Sequence, residues 1–310
     1  MSAPAADPGS ASHTAVRAGL GANLSAAVAA LLFGASVVAV RVAVRDIPPL
    51  SLAVLRFGQA ALLLVGTLLV VSPRLLRVQR RSLPLLVVIG AVLFTLFPVT
   101  FNAGLRWTEA SRGALMLASM PLWSVWLARR VAGERLSARQ FVGVVVSVLG
   151  IALAFAEPAA FRAGGRALVG DGLLLLTALL GAVYGVLAKR ALARDQAVTV
   201  TAYAMLFGCV LLVPAALVEG LLPALGRLDG RLLALLVFLG VPGGALAFLL
   251  WTAALSRLTP TRVAVYVNLN PVVAALLGVW LLDERRSMPF AIGFAAVVAG
   301  VALVNWPSGA

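Results

Sequence analysis

The chain has almost none of the residues on which soluble chemistry depends. Its one cysteine, Cys209, rules out an intramolecular disulfide, and its one histidine, His13, sits in a polar stretch where it cannot join a buried metal cluster. Redox and zinc chemistry have no ligand set, so neither a metal nor a cofactor is expected. Charged residues make up only 12% of the chain. No Asp or Glu falls in the middle of a long apolar run: Asp171 opens one, and Glu134 and Glu284 lie in turns. Without His, Cys or central carboxylates, an intramembrane hydrolase or lipid transferase has nothing to serve as acid, base or nucleophile, and the chain is not expected to be an enzyme.

What the chain does have is apolar length. Hydrophobic residues are 62% of its 310 positions, far more than a soluble protein could cover. A membrane-crossing helix needs about 20 mostly apolar residues. Ten runs of suitable length occupy 22–44, 50–72, 84–104, 112–131, 141–157, 170–189, 199–218, 232–254, 261–282 and 288–306. The expected fold is an all-α integral membrane protein with ten transmembrane helices and short loops. Residues 1–21, rich in Ala, Ser and Gly, read as a disordered cytoplasmic tail. The first apolar run is too long for a signal-peptide core and nine more follow, so cleavage is not expected. The net charge of +14 would suggest nucleic acid in a soluble protein. Here the arginines fall between apolar runs, so they are expected to set topology, with the lipid bilayer as partner and no nucleic acid.

The segment from Ala103 to Phe155 is written a second time from Ala253 to Asn305, at a constant offset of 150 and without a gap. Arg112 matches Arg262, Pro121 matches Pro271, Glu134 and Arg135 match Glu284 and Arg285, Gly143 matches Gly293, and Gly150 matches Gly300. There are 14 identities in 53 positions. Chance matches among Ala, Leu and Val would not align a proline, a glutamate, two arginines and two glycines in one register. The chain is a tandem duplication.

The halves part near Glu157–Gly170. Residues 22–157 form a first repeat of five spans, 158–169 a linker, and 170–306 a second repeat of five. Five is odd, so the second repeat must enter the membrane the opposite way up, and two inverted five-helix repeats follow from counting. Charge tests this independently, because short cytoplasmic loops collect Lys and Arg. With the N-terminus inside, inner segments hold 14 cations and outer segments 10; net of acids the balance is +11 against +3. Arg129, Arg130 and Arg139 of the first copy are Val279, Trp280 and Pro289 in the second. The chain is therefore expected to be multi-pass in the cell (inner or plasma) membrane with both termini cytoplasmic.

The two copies, AGLRWTEASRGALMLASMPLWSVWLARRVAGERLSARQFVGVVVSVLGIAL from Ala103 and AALSRLTPTRVAVYVNLNPVVAALLGVWLLDERRSMPFAIGFAAVVAGVAL from Ala253, resemble the EamA family of the drug/metabolite transporter superfamily. The shared parts are an Arg opening a helix, a Pro near its middle, a Gly-Glu or Asp-Glu-Arg turn, and a glycine-spaced last helix; LRFGQAALLLV at Leu55–Val65 resembles the family's second helix. The resemblance implies a ten-helix secondary transporter of small metabolites, most often an amino-acid or related exporter. The alternative is a multidrug or other small-solute permease of the same superfamily. The small multidrug relatives couple to protons through a buried glutamate, and this chain has no carboxylate in that role.

Transporter sites tend to lie near the midplane between inverted halves, on helices broken by Pro or Gly. Pro121 and Pro271 each remove a backbone hydrogen bond and are candidate hinges, against a purely structural kink. Pro242, Gly243 and Gly244 read as a hinge or unwound segment. Tyr266 and Asn270 share a face with Arg262 one turn earlier; Met116, Met120 and Trp123 form the matching stripe. With Asn268, these would line an amphipathic pocket for a small-molecule solute, the competing reading being interhelical hydrogen bonding. Arg56, six residues into its span, can face a solute carboxylate or snorkel to the interface. Asn102, with Thr100 nearby, and Trp251 are candidates for a lip at one end. Tyr184 and Tyr203 are weaker candidates. Small residues such as Gly143 with Ser147 and Ala296 with Gly300 read as scaffold or homodimer contacts.

Overall fold

The computed structural model describes residues 8–107, 116–117, 119–131, 133, 137–154, 165–270, 272–273, 276–277 and 288–306. Among them there is no strand. The helices are α1 (Pro8–Ala43), α2 (Pro49–Val71), α3 (Leu83–Gly90), α4 (Phe97–Trp107), α5 (Met120–Val131), α6 (Ala138–Ala154), α7 (Gly165–Ala191), α8 (Ala197–Glu219), α9 (Leu221–Leu225), α10 (Gly230–Gly240), α11 (Ala247–Arg257), α12 (Pro260–Ala264) and α13 (Met288–Asn305). Six segments among the described residues are long and apolar enough to cross a membrane: Gly19–Val40, Pro49–Val71, Leu83–Leu105, Leu168–Ala191, Ala197–Glu219 and Gly230–Arg257. Ala138–Gly150 and Ala291–Asn305 are shorter apolar helices. Large apolar side chains point outward along these helices, Val70 at 85% and Val218 at 91% exposure. In water such a surface would aggregate; against lipid it is matched. This is a multi-pass membrane protein.

Two boundaries differ from the sequence reading. α1 begins at Pro8, inside the 1–21 segment read as disordered. Proline is tolerated in a first turn, and Ala11, Ala15 and Ala18 favour helix. α7 begins at Gly165, inside the 158–169 linker, because Ala167, Leu168 and Val169 extend the apolar run that follows.

α3 passes into α4 through a π-helical turn, Ala91–Leu96, and α10 passes into α11 through another, Val241–Leu246. Each is marked by an i to i−5 bond, from Phe97 N–H to the Val92 carbonyl and from Ala247 N–H to the Pro242 carbonyl. The two turns sit 150 positions apart, so the duplication extends in structure well upstream of Ala103. Each lies near a proline, Pro242 within the second turn and Pro98 just past the first, and a ring that cannot donate and crowds the preceding turn favours the wider geometry.

Small residues set the closest helix contacts. A Cβ on Gly143 would come within 2.8 Å of the Gly300 carbonyl oxygen, and one on Gly150 within 2.8 Å of the Gly293 carbonyl oxygen. α6 and α13 therefore run antiparallel with their backbones touching, and the small-residue stripe read as scaffold or dimer contact is used inside the chain. A Cβ on Gly90 of α3 would come within 2.6 Å of the Ala204 carbonyl oxygen on α8, and one on Gly240 of α10 within 2.9 Å of Gln59 Cβ on α2. The main core gathers Phe57, Leu86, Ile89, Phe94, Met205 and Leu212; a second, smaller core holds Val40, Ile47, Leu52, Leu232, Leu236 and Leu239.

Candidate functional site

Most of the residues nominated by the sequence gather in two clusters that meet on α11. The first surrounds α1. The Phe33 ring lies 5.7 Å from Trp251 and 4.7 Å from Phe248, and Phe248 continues to Phe94 at 4.9 Å. At the next position, Gly34 lies so close to the ninth apolar segment that a Cβ would come within 3.0 Å of the Asn270 carbonyl oxygen. Tyr266 is buried, and its hydroxyl donates to Asn23 Oδ1 of α1 at 3.1 Å.

The second cluster surrounds α7. Gly181 makes room for Met120, whose Cε would stand 2.5 Å from a Cβ there, with Phe97 behind it. Ser119 fixes the start of α5: its hydroxyl donates to the Met116 carbonyl at 2.6 Å and accepts from Trp123 Nε1 at 3.2 Å. Met116, Met120 and Trp123 thus form one supported stripe. Tyr184 and Thr252 hydroxyl oxygens are 2.8 Å apart, both buried. Trp251 turns toward α1 and the adjacent Thr252 toward α7, as neighbours about 100° apart on a helix must.

Three nominated side chains are engaged elsewhere. Asn268, fully buried, donates from Nδ2 to Ser147 Oγ on α6 at 2.7 Å, the interhelical bond named as the competing reading. Arg56 donates from Nε to the Leu239 carbonyl at 3.2 Å and from Nη2 to the Gly243 carbonyl at 2.8 Å. It therefore satisfies backbone oxygens at the entrance to the second π turn. Asn102 donates to the Pro49 carbonyl at 3.1 Å, tying α4 to the start of α2; near it, Thr100 and Thr177 hydroxyl oxygens lie 2.8 Å apart.

One hinge candidate needs a correction. Pro121 is the second residue of α5, which follows a turn at Ser119 and a helical pair at Met116 and Leu117. Pro242, Gly243 and Gly244 are not unwound but form the π turn, with Gly243 packed on Ser36 and Gly244 within contact of Ala60. Pro271 lies outside the described residues. The matching segment before it narrows to a 3-10 turn at Val265–Asn268.

Sequence reasoning missed the first π turn, the aromatic chain Phe33–Phe248–Phe94–Phe57, and Glu219, whose Oε2 accepts from Leu50 N at 2.7 Å and Ser51 N at 3.0 Å to cap α2. Pro242, Gly243 and Gly244 mark the second π turn, and Pro98 with the Gly90–Gly240 match at offset 150 could have signalled the first. Chemically the site is polar, with aromatic and thioether walls and the Arg262 cation close enough to act on the Tyr266 hydroxyl. Among the described residues no group of three or more His, Cys, Asp or Glu could hold a metal ion. Two amide acceptors among the nominated residues are unmatched: Asn268 Oδ1 and Asn270 Oδ1 are buried with no hydrogen-bond partner among the described residues.

Comparison with known proteins places this geometry. The model of the EamA-like transporter family matches residues 20–156 and again 168–306. An uncharacterized transporter of Archaeoglobus fulgidus is 28% identical over 91% of this chain and 96% of its own length. A probable terminal-alkyne amino-acid exporter of Streptantibioticus cattleyicolor is 31% identical over 74% of this chain and 75% of its own. A probable amino-acid metabolite efflux pump of Escherichia coli is 23% identical over 87% and 90%. A crystal structure at 21% identity superposes with a TM-score of 0.77 over 91% of this chain and 95% of that one, which establishes the fold. Two tandem matches to one family model, covering nearly every residue of the duplicated sequence, settle the relationship: the chain belongs to the EamA-like transporter family.

Proposed function

We propose that the chain is a secondary carrier that exports amino acids or closely related metabolites by alternating access between two inverted five-helix repeats. The observation that carries the inverted arrangement is the reciprocity of the glycine contacts. Gly143 meets Gly300 and Gly150 meets Gly293, and adding 150 to one member of each pair gives the partner in the other. A contact of i with j′ and of j with i′ is what a two-fold axis produces. Because α6 and α13 are antiparallel, that axis lies across the helices, in the membrane plane, as inverted repeats require. Other pairs obey the same exchange: α4 packs on α7 as α11 packs on α1, and α3 on α8 as α10 on α2. In this reading residues 22–157 and 170–306 are the rocking halves, and the π turns are their flexible joints. Both termini are cytoplasmic, since the arginine-rich loops lie on that side.

The solute is read from the walls. Trp251, Phe33, Met120 and Trp123 favour an apolar side chain. Asn268 Oδ1 and Asn270 Oδ1, buried without a donor among the described residues, favour a solute that brings an N–H, as an α-ammonium does. The printed names of two relatives, an amino-acid exporter and an amino-acid metabolite efflux pump, point the same way. The test is counterflow in proteoliposomes, after a thermal-stability screen against amino acids and neutral metabolites. Labelled solute should accumulate transiently against excess unlabelled solute inside. Flux without saturation or exchange would indicate a channel, and exchange confined to cationic drugs would indicate the multidrug alternative.

A further inference from the structure

We infer that Lys189 is the latch of one gate, holding α7 to the end of α11 so that the carrier rests closed on the face that bears their C-termini. The inference rests on the alternating-access reading above. Lys189 Nζ donates to the Leu255 carbonyl at 2.8 Å, the Ser256 carbonyl at 3.3 Å and the Leu258 carbonyl at 2.9 Å. The first two belong to the last turn of α11, where carbonyls have no helical donors of their own and carry the negative end of its dipole, and the third is that of the extended residue just past it. One ammonium with three donors fits them, and in a low-dielectric setting such charge-assisted bonds are the strong ones. A second tie lies about one turn deeper on both helices, where the Tyr184 and Thr252 hydroxyls meet at 2.8 Å. Two ties at corresponding depths mean that α7 and α11 run parallel and are fastened along their final turns.

Among the described residues the other repeat lacks the second tie. The turns that follow α1 and α7 match at an offset of 148, Ile47 N–H to the Ala43 carbonyl against Asp195 N–H to the Ala191 carbonyl, which sets Arg41 opposite Lys189 and Ser36 opposite Tyr184. Ser36 donates within its own helix, to the Leu32 carbonyl at 2.8 Å. Thr252 corresponds to Asn102, whose amide goes to Pro49 at the start of α2 rather than to α1. In a carrier built from two equivalent halves, a fastening present at only one end biases the resting equilibrium toward closure at that end. In the proposed topology that end is cytoplasmic.

Single-cysteine accessibility tests this in the full chain with Cys209→Ala, in inside-out vesicles. Gly185 lies between Lys189 and Met120 along α7, and a Cβ there would rest 3.6 Å from Pro260 Cβ, an ordinary contact, so Gly185→Cys is accommodated. An impermeant maleimide should label it slowly with Lys189 present and about tenfold faster with K189M, the effect of losing one charge-assisted hydrogen bond of ordinary strength. K189R, which keeps the donors, should stay near the parent rate. Should K189M fail to accumulate, the Y184F/T252V pair, which breaks only the second tie, should raise the rate as well. Equal labelling in the parent and in whichever of these variants folds would overturn the latch. Counterflow by the unmodified chain is read separately, so loss of the latch and loss of the carrier reading give different results.

Discussion

Arg56 illustrates how a residue's chemistry is decided by what is already bound to it. A guanidinium in an apolar span suggests a solute carboxylate, but two of its donors are taken by the Leu239 and Gly243 carbonyls. The planar fork holds both at once in a fixed geometry that the shorter reach and single nitrogen of a lysine do not reproduce. R56M and R56K should therefore each lower the thermal stability of the purified carrier, by about 1.5–3 kcal/mol for the Met variant, while solute Kd stays within about twofold. A Kd rise of tenfold or more with unchanged stability would return Arg56 to the solute site. Asn268 is treated the same way. Its bond to Ser147 should appear in a double-mutant cycle of N268A and S147A as a coupling of roughly 0.6–1.7 kcal/mol, the range for polar pairs between membrane helices. A coupling near zero would free Asn268 for a transport role. Neither commitment was legible in the sequence. Residue type and span position were readable, but the partners are backbone oxygens and a serine on other helices, and no local pattern encodes them.

Elements were far more legible. The apolar runs, the offset of 150 and the glycine spacing of the last helix in each copy all follow from periodicity and identity, and apart from the early starts of α1 and α7 the described helix ends fall within a few residues of the expected ones. The first π turn was not legible, because Ala91–Leu96 contains neither Gly nor Pro; the second was marked by Pro242, Gly243 and Gly244, which signal a break in regular helix without saying that the helix widens there. The glycines themselves separate two roles that sequence alone merges. Gly300 faces the Gly143 carbonyl at 2.6 Å from a would-be Cβ, and the obstacle is backbone that cannot step aside. Gly66 of α2 has nothing within 4 Å. G300A should destabilise by about 1–3 kcal/mol through overpacking. G66A should be neutral or stabilising by up to about 1 kcal/mol through helix propensity. Thermal unfolding in one detergent distinguishes them, and equal effects would mean that the α6–α13 contact is looser than the geometry indicates.

At the scale of the whole molecule, the duplication and the antiparallel glycine contact make one joint statement about the membrane. Ala138 and Met288 are equivalent positions, each the first residue of its helix. Gly143 near the start of α6 meets Gly300 near the end of α13, and Gly150 meets Gly293, so the starts of the two helices lie at opposite ends of their shared contact. Each helix is about 26 Å long at about 1.5 Å per residue, close to the thickness of a hydrocarbon core. In the proposed ten-helix arrangement, opposite ends of such a pair lie at opposite faces of the bilayer. Single cysteines at 138 and 288, both exposed in the chain, should react with an impermeant maleimide from opposite sides: the first in inside-out vesicles, the second in right-side-out ones. The direction follows from Arg129, Arg130 and Arg139 flanking the first site, against Val279, Trp280 and Pro289 at the matching places. Labelling of both from one face would remove the proposed inverted relation, and with it the proposed rocking of equivalent halves. Labelling from opposite faces in the reversed sense would keep the machine and invert only its orientation, placing the Lys189 latch outside.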